Sequence, residues 1–303
     1  MTNNLMIDKA LAKYLIDKQF PQWSHLSIEP VKNSGWDNRT FHLGTEMLIR
    51  MPSAVEYAGQ AEKEQTWLPK LAPHLPIPIP TPIALGKPDD LYPWTWSINL
   101  WLPGNPAAIP EIDDLSQFAV QLAEFLKALQ SIDATNGPLA GPQSFYRGGD
   151  IAVYDAETRE AIELLKNDID VLLAIEIWET AISTKWQTDP VWVHGDISIG
   201  NLLVSNSQLS AVIDFGQLAV GDPACDLAIA WVFFEEKSRE AFFQTLQLDK
   251  ATVARGRAWA LWKALILVSG IATSSNTDKQ AWLGVISEVM KDHRQEKSKT
   301  KDH

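Results

Sequence analysis

The sequence predicts an α+β chain with a small β-rich amino-terminal lobe and a larger, mostly helical carboxy-terminal lobe, and three observations support this. Short β-branched and aromatic runs, separated by Gly, Asn and Asp, fill the first hundred residues. After Pro103-Gly104 the apolar residues recur at helical spacing. Between the helical stretches, Val191 to Ala228 returns to strand-like runs and gathers His194, Asp196, Asn201, Asp214, Asp222 and Asp226.

Taken in order, residues 1–20 show an amphipathic pattern carrying Asp8 and Lys9 and lack the apolar core of a signal peptide. Leu26 to Val31 and Arg39 to Leu43 read as strands, and a Gly44-Thr45 turn leads into Met47 to Met51. Alternation along that strand puts Met47, Ile49 and Met51 on one face and Leu48 and Arg50 on the other, aiming a cation into a cleft. Glu56 to Leu71 has helical character, with Ala61, Gln65 and Leu68 against a charged face carrying Glu62, Lys63 and Glu64. The alternating prolines of Pro73 to Pro82 forbid a helix and give an extended connector.

Trp94 to Leu102 reads as an aromatic-rich strand that stops at Pro103-Gly104, the expected hinge. The backbone around Leu100 and Leu102 has two readings, an ordinary core strand or a surface facing a nucleotide base. Beyond it, Asp114 to Ile132 repeats apolar residues at Phe118, Leu122, Phe125, Leu126 and Leu129, an amphipathic helix. Ala156 to Ile182, Asp222 to Phe234, Ala251 to Ile271 and Asp278 to Met290 are helical by the same test. The charged tail, residues 291–303, has no apolar face and is expected to fray. The expected division is therefore 1–102, 103–290 and 291–303.

A net charge of −12 on 303 residues argues against a nucleic-acid surface, which needs clustered Lys and Arg. It is compatible with a small cationic substrate. The single cysteine, Cys225, rules out an internal disulfide, reads as packed filler, and fits a reducing, cytoplasmic setting. The longest apolar run, Ala258 to Ala272, is interrupted by Lys263 and is too short to cross a bilayer, so no membrane partner is expected. Trp231, Trp259 and Trp262 read as core. Glu235, Glu236 and Glu240 are the acidic candidates for holding a cationic acceptor.

The central stretch carries the chemistry. Val191-Trp192-Val193 runs into His194-Gly195-Asp196, Asn201 to Val204 is the next strand, and Ala211-Val212-Ile213 ends at Asp214. A ribbon turning at Asn206-Ser207-Gln208 would bring Asp196, Asn201 and Asp214 to one end. Two carboxylates and an amide oxygen suit a hard divalent cation such as Mg2+. Each residue alone reads as a turn former; the joint spacing is what points to a site.

His194-Gly195-Asp196 with Asn201, then Asp214-Phe215-Gly216, then Gly221-Asp222-Pro223 with Asp226, resembles the aminoglycoside phosphotransferase family. The resemblance extends upstream through Ser34 to Asn38, Leu48 to Pro52 and Glu64, and the Asp196-to-Asn201 spacing matches that of protein kinases. It implies a bilobal, protein-kinase-like fold in which residues 1–102 bind the nucleotide and the helical lobe holds the catalytic loop and substrate cleft. By that resemblance Asp196 is the catalytic base, while Asn201 and Asp214 are Mg2+ ligands. Arg50 is the phosphate-binding cation, fixed by Glu64. Ser34 or Asn38 contacts phosphate, and Leu100 and Leu102 face the base. His194 and Asp226 support the catalytic loop.

The implied activity moves the γ-phosphate of ATP or GTP to a hydroxyl of a small, cationic molecule, such as an aminoglycoside. The alternatives are an amino alcohol, a sugar or a macrolide as acceptor, or a nucleotide-binding module without catalysis. Two departures bear on these. Arg50 stands where the family usually has lysine, and residues 33–38 contain one glycine, too few for the glycine-rich phosphate cover of protein kinases.

Overall fold

In the computed structural model, which describes residues 6–32, 37–272 and 278–301, the amino-terminal region is built on one antiparallel sheet. The chain enters through α1 (Lys9–Gln19), capped by the Asp8 carboxylate, which accepts from the Leu11 N–H. It continues through β1 (Ile28–Pro30), β2 (Asn38–Leu43), β3 (Met47–Pro52), α2 (Gln60–Leu71), β4 (Pro82–Gly86) and β5 (Trp96–Leu100). The strand order is β1-β2-β3-β5-β4. Gly44, at φ +63°, makes the β2–β3 turn in the left-handed region that a side chain disfavours. Ile28, Phe41, Leu43, Ile49, Met51, Trp96 and Ile98 are buried together with Leu15 and Ile16 of α1. Strand β4 was not expected from the proline-rich run. Pro82 lacks an N–H to donate, and it is tolerated because β4 is an edge strand.

Two compact units account for the chain: Met1–Pro106 with Asn201–Gln217, and Ala107–Gly200 with Leu218–His303. The first unit takes in a second, smaller sheet. There β6 (Asn105–Pro106) pairs with β8 (Leu202–Ser205), which pairs with β9 (Gln208–Val212). The β8–β9 link is a two-residue turn with Asn206 and Ser207 both at positive φ, the mirror-image geometry that matches strand twist.

The second unit contains α3 (Leu115–Ser131), α4 (Asp155–Leu164), α5 (Val171–Ile182), β7 (Val191–Val193), β10 (Ala219–Gly221), α6 (Ile229–Val232), α7 (Glu236–Leu246), α8 (Lys250–Ser269) and α9 (Lys279–Lys301). Helix α3 buries Phe118, Leu122, Phe125, Leu126 and Leu129, the stripe its periodicity predicts. Residues 156–182 divide into α4 and α5. Helix α8 is buried almost all round, including Arg255 and Arg257, each neutralised by a carboxylate: Arg255 Nε lies 2.6 Å from Asp222 and Arg257 Nε 2.9 Å from Asp292.

The tail departs from expectation. Helix α9 runs on through Lys301 instead of fraying after Met290. Its charges have long-range partners that local periodicity does not reveal. Glu296 pairs with Arg257, Lys297 and His293 with Glu176, and Arg294 with Asp170.

Candidate active site

In the first unit, β3 sets Arg50 opposite Ser97 of β5 and Leu48 opposite Asn99. Residues directly opposite in an antiparallel pair share a face, so these four lie across the sheet from the buried Ile49 and Ile98. Helix α2 turns Glu64 inward, leaving it 2% exposed. Arg50 Nη1 donates to both Glu64 carboxylate oxygens, at 2.8 and 2.6 Å, and Nη2 donates to Asp214 Oδ1 at 2.8 Å. Burial opposes the guanidinium's charge, but Glu64, Asp214 and Asp37 outweigh it and push its pKa up.

Asp214 sits at φ +66°, a strained position for a side chain. Its Oδ1 also accepts from the Gly216 N–H at 3.4 Å. The Ile213 N–H donates to the Asn201 carbonyl at 2.9 Å, so Asn201 and Asp214 lie at the same end of the β8–β9 ribbon. Ser97 Oγ and both amide atoms of Asn99 are buried without a hydrogen-bond partner among the described residues. Orphaned polar atoms of this kind carry a desolvation cost unless something polar meets them.

In the second unit, β7 delivers His194-Gly195-Asp196 as a turn, with Gly195 at φ +87°. Buried Asp226 holds this turn from below, one carboxylate oxygen accepting from the His194 N–H and the other from the Gly195 N–H, each at 2.8 Å. Burial pushes the Asp226 carboxyl up, against the pull of His194 and those two amides. His194 Nδ1 accepts from the Asp196 N–H at 3.1 Å, which puts the neutral ring's proton on Nε2. Asp222 caps the helical turn Pro223–Ala228 through the Ala224 N–H and pairs with Arg255.

Asp196 has company that matters for its charge. Lys263 Nζ of α8 lies 3.6 Å from its Oδ1. Burial would raise the Asp196 carboxyl, but Lys263, Arg147 and His194 outweigh it and hold the pKa below the ordinary carboxylate value. Asp196 is therefore an anion at neutral pH.

The profile of the phosphotransferase enzyme family matches residues 27–262. The chain belongs to this family. Among curated relatives, an Escherichia coli aminoglycoside 3'-phosphotransferase is 29% identical over 191 residues, which is 57% of this chain and 65% of that protein. A Streptomyces fradiae aminoglycoside 3'-phosphotransferase is 29% identical over 192 residues, covering 59% of this chain and 65% of its own length. The matched region thus spans 65% of those phosphotransferases. The GDP complex of aminoglycoside 2'-phosphotransferase-IIIa superposes with a TM-score of 0.72 at 18% identity, over 95% of this chain and all of that one. The macrolide 2'-phosphotransferase MphH of Brachybacterium faecium superposes at 0.60 and 20% identity, over 91% of this chain and 98% of that one. These superpositions establish an aminoglycoside-phosphotransferase fold, α+β and protein-kinase-like.

Within this phosphotransferase fold, the expected residues fall as follows. Arg50, Glu64 and Asp214 are joined by ion pairs, with Asn201 at Asp214's end of its ribbon. His194 and Asp196 share one turn of the second unit, which Asp226 holds through the His194 and Gly195 N–H groups. Leu100 is 40% exposed and donates its N–H to the Thr81 carbonyl at 2.9 Å; Leu102, two residues on, is half-buried. Ser34 lies outside the described residues. Among the described residues no group of three or more His, Cys, Asp or Glu is arranged to hold a metal ion, and the expected ligand set counts an amide instead.

The acidic candidates lie at the start and along α7: Glu235 is its N-cap residue, bonded to Ser238 Oγ through its backbone, Glu236 pairs with Lys291, and Glu240 accepts from Gln244. Trp231, Trp259 and Trp262 are buried, as expected of core residues. Sequence reasoning missed Lys263, Arg147, Ser97 and Asn99 as site residues. Lys263 did leave a signal, being the one charge inside the apolar run from Ala258 to Ala272.

Proposed function

We propose that this chain transfers the γ-phosphate of ATP or GTP to a hydroxyl of a small molecule, in the cytoplasm and with Mg2+, and that aminoglycosides are among its acceptors. The ion-paired line Glu64–Arg50–Asp214 carries the reading. It fixes a planar guanidinium with its charge secured, the group best suited to grip two phosphate oxygens at once. Asn201 and Asp214 offer the oxygen donors that a hard cation takes, and Asp214 Oδ1 already serves Arg50 and Gly216, which leaves Oδ2 to face an ion. Asn201 and Asp214 would hold Mg2+, which would supply positive charge against the nucleotide's phosphates.

In the transfer itself, the acceptor oxygen forms a bond to the γ-phosphorus as the bond to the departing nucleoside diphosphate breaks. Asp196, already an anion, accepts a hydrogen bond from the acceptor hydroxyl and orients its lone pair. It takes the proton late, once bond formation has made that hydroxyl acidic. The Asp226 and His194 bonds keep the turn in place while this occurs. No helix among the described residues is long and apolar enough to cross a membrane.

The orphaned atoms of Ser97 and Asn99 share the Arg50 face of the sheet, and a nucleobase edge would satisfy them. Asn99→Leu is then expected to raise the urea midpoint, because a buried unpartnered amide disappears, while raising the nucleotide KM about tenfold by removing a hydrogen bond to the base. An unchanged KM removes the base from this face. The reaction is tested by a product-detected screen of ATP and GTP against aminoglycosides, macrolides, amino alcohols and sugars. A phosphorylated product is the expected result. Nucleotide binding with no product from any acceptor would instead identify a binding module, in line with Arg50 standing in place of lysine.

A further inference from the structure

Helix α8 is apolar from Ala258 to Val268 except at Lys263, the one charge in that run. Trp259, Leu261, Trp262, Ala264 and Leu265 around it are buried, so a lysine here gives up packing that a leucine would gain. Its ammonium emerges beside Asp196, with Nζ 3.6 Å from Oδ1 and the two side chains 32% and 28% exposed. This ion pair is longer than a charge-assisted hydrogen bond, and both partners keep access to solvent. The neighbouring carboxylates have other donors: Asp226 the His194 and Gly195 N–H groups, Asp222 the Arg255 guanidinium, and Glu157 the Trp262 Nε1–H. Arg147, the second cation acting on Asp196, is clamped in place. Its guanidinium lies over Trp259 and Trp262, 4.7 and 4.6 Å from the ring centroids, and its backbone N–H and carbonyl are both bonded to Ser144. Lys263, by contrast, combines a loose contact with a flexible stem.

Transfer sets an anionic base against an anionic phosphoryl group. The acceptor oxygen that is hydrogen-bonded to Asp196 must also bond to phosphorus, so phosphoryl oxygens come close to the carboxylate and to an ammonium already 3.6 Å from it. The segment from His194 to Asn201 holds no Lys or Arg to offset the repulsion. An ammonium is a point charge whose three donors rotate on a flexible stem, so one can serve a carboxylate while another serves a phosphoryl oxygen. We infer that Lys263 bridges Asp196 and the γ-phosphoryl group during transfer, giving the catalytic turn the cation that its own segment lacks. The inference rests on the phosphotransferase reading and deepens it. The acceptor oxygen bonds to phosphorus, the bond to the nucleoside diphosphate breaks, and the acceptor proton passes to Asp196. Lys263 keeps all three of its protons and donates hydrogen bonds on both sides of that exchange. Its charge counts most when the phosphoryl oxygens come closest, so it favours the transition state over the bound nucleotide.

The test compares wild type with Lys263→Met, which keeps the stem, and Lys263→Arg, which keeps the charge. With ATP and each acceptor of the screen, water included, Lys263→Met is expected to lower kcat about a hundredfold while the nucleotide KM changes by less than about threefold. Lys263→Arg should recover kcat to within about tenfold of wild type. ADP with aluminium fluoride, a mimic of the phosphoryl group in flight, gives a readout that needs no turnover. Calorimetry should show fluoride tightening ADP binding to wild type, with that gain cut about tenfold or more in Lys263→Met and the affinity for ADP alone unchanged. A kcat within about threefold of wild type in Lys263→Met, or a fluoride effect that is absent in wild type or equal in both proteins, overturns the inference. So does a loss of kcat that recovers by pH 9, since Lys263 would then serve only to keep Asp196 ionised. A loss in both variants that tracks a falling urea midpoint also overturns it, as a structural role. Failure of the phosphotransferase reading would show up separately, as absence of product from every acceptor while the fluoride effect still depends on Lys263.

Discussion

Asp196→Asn is expected to lower phosphoryl transfer about a thousandfold while changing nucleotide affinity by less than threefold. The asparagine keeps the shape of the side chain and still offers one oxygen to the acceptor hydroxyl, so orientation is partly retained. It cannot take the proton, and positioned general bases contribute about a hundred- to ten-thousandfold. The substitution also leaves Lys263, 3.6 Å away, without its carboxylate. Nucleotide affinity is spared because the Glu64–Arg50–Asp214 line is built within the first unit from residues that do not include Asp196. Single-turnover product formation measures the first quantity and calorimetric titration with nucleotide the second. Turnover within tenfold of wild type would remove Asp196 from the reaction.

How far the site could be read in advance depended on the distance over which each signal acts. The β8–β9 ribbon was legible because alternation, the Asn206-Ser207 turn and the terminal Asp214 are all local properties. Arg50 was legible because strand alternation separates it from Ile49 and Met51. Glu64 was not legible from its helix, where it reads as part of a charged face with Glu62 and Lys63, and only the family resemblance pointed to it. The fold instead buries it beside Ala61 and Leu68 to meet Arg50. The tail was misread because a charged helix face looks solvated until its partners are known, and Glu176, Asp170 and Arg257 lie 35 or more residues away. Arg147 was invisible for a similar reason. It sits in a Gly- and Pro-rich turn with no periodicity, and the indoles that fix it belong to α8, more than a hundred residues on. Ser97 and Asn99 looked like ordinary strand residues because their missing partners are a property of the folded sheet alone.

Asp226→Ala is expected to cost about 4 kcal/mol of stability, since each of two buried N–H groups left without an acceptor costs roughly 1–3 kcal/mol. Those groups are the His194 and Gly195 amides, and Asp226 itself is 1% exposed, so water does not readily replace it. Asp226→Asn should cost about half as much: its amide oxygen satisfies one N–H while its NH2 faces the other. Burial raises the Asp226 carboxyl, so between the ordinary carboxylate value and the raised one the folded chain holds a proton that the unfolded chain has released. Stability contributed by this group therefore falls as pH rises through that window, and Asp226→Asn should remove that slope. Both variants should also lose activity beyond what their folded fraction explains, because Gly195 at φ +87° depends on the tether to hold the Asp196 turn. Urea unfolding across pH 4 to 8, with turnover measured at matched folded fraction, separates the two effects. A wild-type specific activity in folded Asp226→Ala would show that the turn holds its shape unaided and that Asp226 contributes to stability alone.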